Sequence, residues 1–315
     1  MTRKKYILTI GGSNLDITGI TRGVFRAHDS NPGSITLSAG GVGRNIAENL
    51  ARLKIPVRLV TAIGDDDFGR ILIDRCKTSG IDMSHSLISE DSATSTYVAI
   101  MDDKKGLAAA VSDMKIMEML TPRFLEKLFP VIDGASVVIA DNNLSPESLE
   151  LLKKRRCGSL LFDAVSGVKL KSAIEIVRDI DTIKVNALEA EILSGVTIKD
   201  HKSAEKAAAV IIGRGFKNVF ITIGAEGALL GTSDECWFTP PPEFTVVNTT
   251  GAGDAFMAGA AYGIFKGMHG EELLKTGSAC AALASASENT VSEQINPENV
   301  NKILEGDYSE LFPLS

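Results

Sequence analysis

Val246-Val247-Asn248-Thr249-Thr250-Gly251-Ala252-Gly253-Asp254-Ala255-Phe256-Met257-Ala258-Gly259 starts apolar, turns through two glycines around one alanine, and continues with small and apolar residues at helical spacing towards Gly267. Such a loop feeds a helix whose first N–H groups have no intrahelical acceptor. Gly251, Ala252 and Gly253 are therefore expected to point unpaired amides outward, where an anion would bind. Asp254 falls in the first turn, where the helix dipole favours a carboxylate, keeps it ionised and lets it accept a proton from a hydroxyl. Donors for a transferring phosphoryl group and a base for the attacking oxygen would then lie within one turn. A glycine-rich turn with an ordinary capping aspartate has the same local pattern, so the rest of the chain has to decide.

Around this stretch, 315 residues with 44% hydrophobic and 23% charged content fit a globular enzyme of one large α/β domain or two smaller ones. The net charge of −7, the pI near 5.3 and the absence of any basic tract longer than Lys153-Lys154-Arg155-Arg156 argue against nucleic acid as a partner. No run reaches transmembrane length, so no membrane partner is expected. The basic start before Tyr6-Ile7-Leu8-Thr9-Ile10 is followed by too short an apolar run for a signal peptide, and this run is expected to be a buried first strand. Cys76, Cys157, Cys236 and Cys280 are widely spaced and distant from His28, His85, His201 and His269. A reduced cytoplasmic protein without structural zinc is the expectation.

Asn14 and Asp16 follow the first strand, at the end where parallel sheets bind ligands. Two residues apart on a continuing strand, they share a face, and an amide with a carboxylate suits a vicinal diol; turn residues that cap the strand are the equal alternative. Ala39-Gly40-Gly41-Val42-Gly43-Arg44-Asn45 opens a helix with Ile46, Leu50 and Leu53 on its apolar face. Its glycines permit close backbone approach, and Asn45 on the first turn can reach a polyol. The dinucleotide fingerprint is absent because the third glycine is missing, and no Gly-Lys pair exists for a Walker A loop.

Two β-rich patches interrupt an otherwise alternating α/β pattern. One surrounds the turn Asp29-Ser30-Asn31-Pro32-Gly33, and the other surrounds Asp102-Asp103-Lys104-Lys105-Gly106. They are expected to form a small β lid, at about 15–38 and 92–112, on a single domain covering 1–315. Strands at 57–63, 136–140, 160–164, 182–185 and 219–222 alternate with helices at 68–79, 146–156 and 204–214, which makes parallel βαβ units the natural arrangement. Asn186-Ala187-Leu188-Glu189 opens a further helix, where the Asn and Glu either cap it or stand beside a magnesium ion held through water; local pattern favours capping. Thr222, Gly224 and Gly227 make a strand-turn-strand bend of the kind that approaches a nucleotide, though many hairpins look alike. The small residues of 271–285 permit close helix packing or a flat slot for a planar ring.

Gly40-Gly41-Val42-Gly43-Arg44-Asn45, Asn186-Ala187-Leu188-Glu189, Thr222-Ile223-Gly224-Ala225-Glu226-Gly227 and Asn248-Thr249-Thr250-Gly251-Ala252-Gly253-Asp254 together resemble, in order and spacing, the ribokinase-like (PfkB) carbohydrate and nucleoside kinases. The resemblance covers nearly the whole chain. It implies a doubly wound, mainly parallel α/β sheet with a β lid, and phosphorylation of an alcohol with ATP and magnesium. By position, Asp254 matches the family's catalytic base, and Gly251, Ala252 and Gly253 its anion hole. Asn14, Asp16, Gly40, Gly41 and Asn45 match polyol-binding positions. Asn186 and Glu189 match the magnesium and phosphate motif, which moves that pair from capping to function, while Thr222, Gly224, Gly227 and the segment from Ala279 to Ala282 match the nucleotide side.

Within the family, 29–33, 40–47 and Ser112-Asp113-Met114 look most like the pseudouridine kinases, which implies the ribose 5′-hydroxyl of pseudouridine as acceptor. Ribose, another ribonucleoside, or binding without catalysis in a nucleoside sensor are the rivals. Asp113 would read the base edge from the lid or simply cap the following helix. Asn143 lies near a sugar-contacting carboxylate of ribokinases and is an amide here. Asn248 replaces the aspartate that helps many ribokinases bind a monovalent cation, which leaves potassium (K+) open, and Val42 replaces a ribokinase lysine, which argues against free ribose. Exposed lid edges suggest a homodimer.

Overall fold

Short apolar runs ending in glycine, aspartate or asparagine build the centre of the molecule in the computed structural model, which describes residues 6–104, 106–155 and 158–312. Met1 to Lys5, Lys105, Arg156 and Cys157, which entered the sequence expectations, lie outside the described residues. Strand β1 (Ile7–Ile10) is the buried first strand, and the chain then leaves the central sheet for β2 (Asn14–Thr21) and β3 (Gly33–Gly40). It returns in β4 (Val57–Val60) and departs again through β5 (Ala62–Gly64), β6 (Leu87–Ser89), β7 (Thr96–Met101) and β8 (Leu107–Asp113). Six strands complete the centre: β9 (Val137–Asp141), β10 (Ser159–Asp163), β11 (Thr182–Asn186), β12 (Asn218–Thr222), β13 (Ala228–Gly231) and β14 (Cys236–Thr239).

The eight-stranded sheet has the order β14-β13-β12-β11-β10-β9-β1-β4. Its strands are parallel from β4 to β12, and the last two are antiparallel. Alternate residues feed cores on opposite faces. Leu8, Val138 and Phe162 point into one cluster, whereas Ile7, Val137 and Leu161 point into the other with Ala255, Met257 and Ala258. Burial on both faces explains why these strands read as continuous apolar runs, and the fold is a doubly wound α/β sheet. After β1 the chain moves outward to β4, then crosses to β9 and proceeds the other way. The reversal opens a crevice at the carboxyl ends of β1 and β9, the usual ligand position in such sheets.

The single strand expected at 57–63 is divided in two. Ser86 Oγ accepts from Thr61 N at 3.2 Å and donates to the Leu59 carbonyl at 2.9 Å. This side chain interrupts the ladder, and β5 pairs instead with β6 in a separate two-stranded sheet. The two β-rich patches form a four-stranded sheet of order β3-β2-β7-β8. Asp102 Oδ1 closes the β7–β8 turn by accepting from Lys104 N and Gly106 N at 2.9 and 2.7 Å. Beneath this sheet, Leu15, Ile63 and Leu72 form a small core of their own.

Two helices deliver side chains to the crevice: Val42–Arg52, which follows β3 directly, and Ala252–Lys266. The second lies against the helix Gly270–Ser285, where a Cβ on Gly259 would come within 2.7 Å of the Thr276 carbonyl and 2.9 Å of Gly277 Cα. Small residues here permit this close approach of two backbones.

Candidate active site

The floor of the crevice is glycine packed on glycine. A Cβ on Gly41, whose φ is 97°, would meet Ser13 Cα and the Gly12 carbonyl at 2.5 Å, so only glycine fits. Gly12 N donates to Asp141 Oδ2 at 2.7 Å, and Asp141 Oδ1 accepts from the backbone and side chain of Asn143 at 2.9 and 3.0 Å. Burial raises the Asp141 carboxyl above the usual range against these hydrogen bonds. On the β2 side, Asn14 Nδ2 donates to Asp16 Oδ1 at 2.6 Å, as expected of side chains sharing a face. The Asp16 carboxylate lies over Gly40, where a Cβ would sit 2.1 Å from Oδ2, and burial raises its pKa.

Asp254 enters from the opposite wall and is half-buried. Its Oδ2 accepts from Asn45 Nδ2 at 2.7 Å. Against the sequence expectation that the helix dipole keeps this group ionised stands its burial. Burial raises its pKa to about 7, the nearby Asp163 adds to the rise, and Asn45 and Lys184 only partly oppose it. Gly251, with φ 84°, begins the helix without a side-chain cap. A Cβ there would meet the Thr290 carbonyl at 2.1 Å. The tight turn brings Ala252 N within 3.3 Å of the Thr249 carbonyl, so this amide is engaged rather than open. Among the described residues, the amides of Gly251, Gly253 and Asp254 have no such backbone acceptor.

Lys184 lies below these amides, and a Cβ on Gly253 would be 2.9 Å from its Nζ. The ammonium pairs with Asp163 Oδ2 at 3.0 Å, and both side chains are buried. Burial alone would push the lysine down, but Asp163, Asp254 and Glu189 hold it up, so it stays charged. Sequence reasoning missed Lys184, Asp163 and Asp141. The signal for Lys184 was a lysine inside the apolar β11, and for the two aspartates their place at the carboxyl ends of parallel strands.

Asn186 and Glu189 form a reciprocal capping box: Glu189 N donates to Asn186 Oδ1 and Asn186 N to Glu189 Oε2, both at 2.9 Å. The capping contacts are therefore real, and they leave Asn186 Nδ2 and Glu189 Oε1 for other partners. Burial raises the Glu189 pKa, so a cation beside it would be welcome. No group of three or more acidic, histidine or cysteine side chains forms a metal cage among the described residues. This sparse oxygen set suits magnesium, which keeps waters and binds mainly through phosphate oxygens.

Thr222 is the register partner of Asn186 on the neighbouring strand. Gly224 (φ 58°) and Gly227 (φ 116°) bracket the turn that follows, and a Cβ on Gly227 would meet the Thr239 carbonyl at 2.2 Å. Hairpin packing thus requires glycine at 227. Ala279 and Ala282 face the hydrophobic core at 1% and 4% exposure, not a slot for a ring. Close helix packing explains them. The exposed Asp113 ends β8 and accepts from Lys115 N at 3.2 Å, a local turn contact. With Ser112, Met114, Asn142, Asn143 and Lys169 it borders a cavity of about 440 Å³. Lys169 Nζ donates to Asn143 Oδ1, so Asn143 is held from both sides. Asn248 is committed to the loop, accepting from Thr250 N at 2.9 Å and donating to the Glu288 carbonyl at 3.1 Å.

A doubly wound sheet carrying an aspartate and open helix amides over a glycine floor suits a phosphotransferase that acts on an alcohol group, and this chain is of that class. The chain belongs to the pfkB family of carbohydrate kinases, whose profile matches residues 4–297. It is 33% identical over 307 residues to the pseudouridine kinase of Escherichia coli strain K12, covering 97% of this chain and 98% of that one. A carbohydrate kinase from Agrobacterium tumefaciens superposes with a TM-score of 0.83 at 30% identity, covering 96% of this chain and 97% of that one. Arabidopsis thaliana ribokinase, solved with ribose and ATP, shares the fold with a TM-score of 0.82 at 20% identity, covering 96% and 99%. No helix among the described residues is long and apolar enough to cross a membrane.

Proposed function

We propose that this kinase transfers the γ-phosphoryl group of ATP to the ribose 5′-hydroxyl of a nucleoside, with pseudouridine as the preferred acceptor. The observation that carries the reading is Asp254, held by Asn45 beside the open amides of Gly253 and itself, at the edge of a glycine floor. Asn14, Asp16, Gly40, Gly41 and Asn45 bind the ribose. The cavity bounded by Asp113 and Asn143 takes the base, and an acceptor extending beyond a pentose would use it. Similarity to the Escherichia coli pseudouridine kinase over nearly the whole length supports the choice.

In the reaction, Asp254 takes the 5′-hydroxyl proton as the oxygen forms its bond to the γ-phosphorus, and the bond to the ADP oxygen breaks. The amides of Gly251 and Gly253 and the ammonium of Lys184 stabilise the charge on the transferring group, a task of positioning and electrostatics. Asn186 and Glu189 would hold magnesium through water, and the ion would neutralise phosphate charge when bound. Thr222 and Gly224 border the ATP side, and the four-stranded sheet closes over the acceptor to exclude water. Its edge strands leave Ile35, Leu37, Leu107 and Val111 more than half exposed, which favours a second copy of the chain as their cover. A need for ATP and reduced cysteines fits the cytoplasm.

ADP release from a panel of nucleosides and sugars with ATP and magnesium tests the reading. Pseudouridine should give the highest kcat/KM. Strong ribose phosphorylation with none on pseudouridine would reject the acceptor, and binding without ADP release across the panel would favour a sensor.

A further inference from the structure

Arg44 is only 3% exposed, yet it stands on the first turn of Val42–Arg52 beside the crevice. Its guanidinium is held at three points. Nε donates to the Gly40 carbonyl at 3.1 Å, one terminal nitrogen to Glu48 Oε2, and the other to the side-chain oxygen of Asn45. Glu48 also accepts from Arg52 at 3.0 Å, so the positive charge of Arg44 is shared within an ion-pair ladder along the helix.

The contact to Asn45 has a consequence for Asp254. A carboxamide turned over about its terminal bond exchanges an oxygen for a pair of donors, and only one orientation suits each neighbour. Arg44 carries donors and no acceptor, so the Asn45 oxygen must face it. The NH2 group then faces Asp254, where a carboxylate accepts and a protonated carboxyl accepts less well. We infer that Arg44 is a positioning residue that fixes the Asn45 amide in the orientation stabilising ionised Asp254, leaving Oδ1 of Asp254 for the acceptor hydroxyl. The same fork holds the carbonyl of Gly40, over which the Asp16 carboxylate lies, and ties both walls of the acceptor site to one side chain.

Other groups also face Asp254. Asp163 and Asp141 disfavour its charge and Lys184 favours it. All three approach from the strands, whereas Arg44 acts from the opposite helix and only through Asn45. This inference rests on the proposed role of Asp254 as base, but its test needs no substrate. Carbon-13 carboxyl NMR of the ligand-free protein follows the Asp254 titration in wild type, Arg44→Met, Asn45→Ala and the double variant, with Asp254→Asn assigning the resonance.

Arg44→Met should raise the Asp254 midpoint by more than roughly 0.3 pH unit and should add nothing in the Asn45→Ala background, while Arg44→Lys, which keeps a donor, should restore most of the wild-type midpoint. A folded Arg44→Met protein with a smaller shift, or the full shift persisting without the Asn45 amide, would overturn the inference. If Arg44→Met does not fold, Arg44→Met/Glu48→Gln removes the unpaired carboxylate and carries the same cycle. Wild-type failure on the acceptor panel would refute the functional reading and leave this titration readable.

Discussion

Lys184, inside β11, and Asp163, at the carboxyl end of the neighbouring parallel strand β10, form a 3.0 Å ion pair directly beneath the helix that carries Asp254. One cation thus answers several carboxylates, with Asp254 and Glu189 also within its field. Lys184→Met should leave Asp163 buried and unpaired, a change that costs about 3–5 kcal/mol in comparable buried pairs. Denaturant unfolding checks this. The double variant Lys184→Met/Asp163→Leu should regain much of the loss, because it removes both charges. A single variant as stable as wild type would mean that water reaches the pair.

The pH dependence follows from Asp254. Burial raises its carboxyl to about 7, and the base works only when deprotonated. Activity is therefore full above that value and lost as pH falls through it, about tenfold per unit well below. The kcat/KM profile of the free enzyme should show an acid limb near neutrality. A limb near pH 4, the ordinary aspartate range, would mean that the crevice is wetter than the structure indicates.

Asp254→Asn removes the proton acceptor and keeps nearly the same shape. Turnover should drop by about 10²–10⁴-fold, the usual contribution of a positioned base. Nucleoside affinity measured by calorimetry should stay within several-fold, since an amide still hydrogen-bonds a hydroxyl. Near-normal turnover would remove Asp254 from its assigned role.

Periodicity and glycine placement were enough to read the alternating strands and helices, the helix after Gly251 and the closeness of Asn14 to Asp16, because each is set by neighbours in the chain. What escaped was set by residues brought together from a distance. Nothing near Asp254 in sequence announces Asp163, Asp141 or Lys184, so the helix dipole alone does not fix its proton affinity. Ala279 and Ala282 have a composition that suits a slot or a helix contact, and only packing against the core decides for the latter. The division of the strand at 57–63 depends on Ser86, a side chain more than twenty residues downstream.

Asn186 poses the remaining question of whether a residue that demonstrably caps a helix also serves the reaction. Serine caps about as well as asparagine, so Asn186→Ser should retain the bond from Glu189 N and keep stability within about 0.5 kcal/mol of wild type. It lacks the second arm, Nδ2, that the capping box leaves uncommitted. If that arm steadies a magnesium-bound water or a phosphate oxygen, the variant should need several-fold more magnesium for half-maximal turnover at unchanged thermal stability. Titrating magnesium against ADP release in both proteins separates the two roles. Superimposable curves would confine Asn186 to capping and leave the ion to Glu189 and the nucleotide.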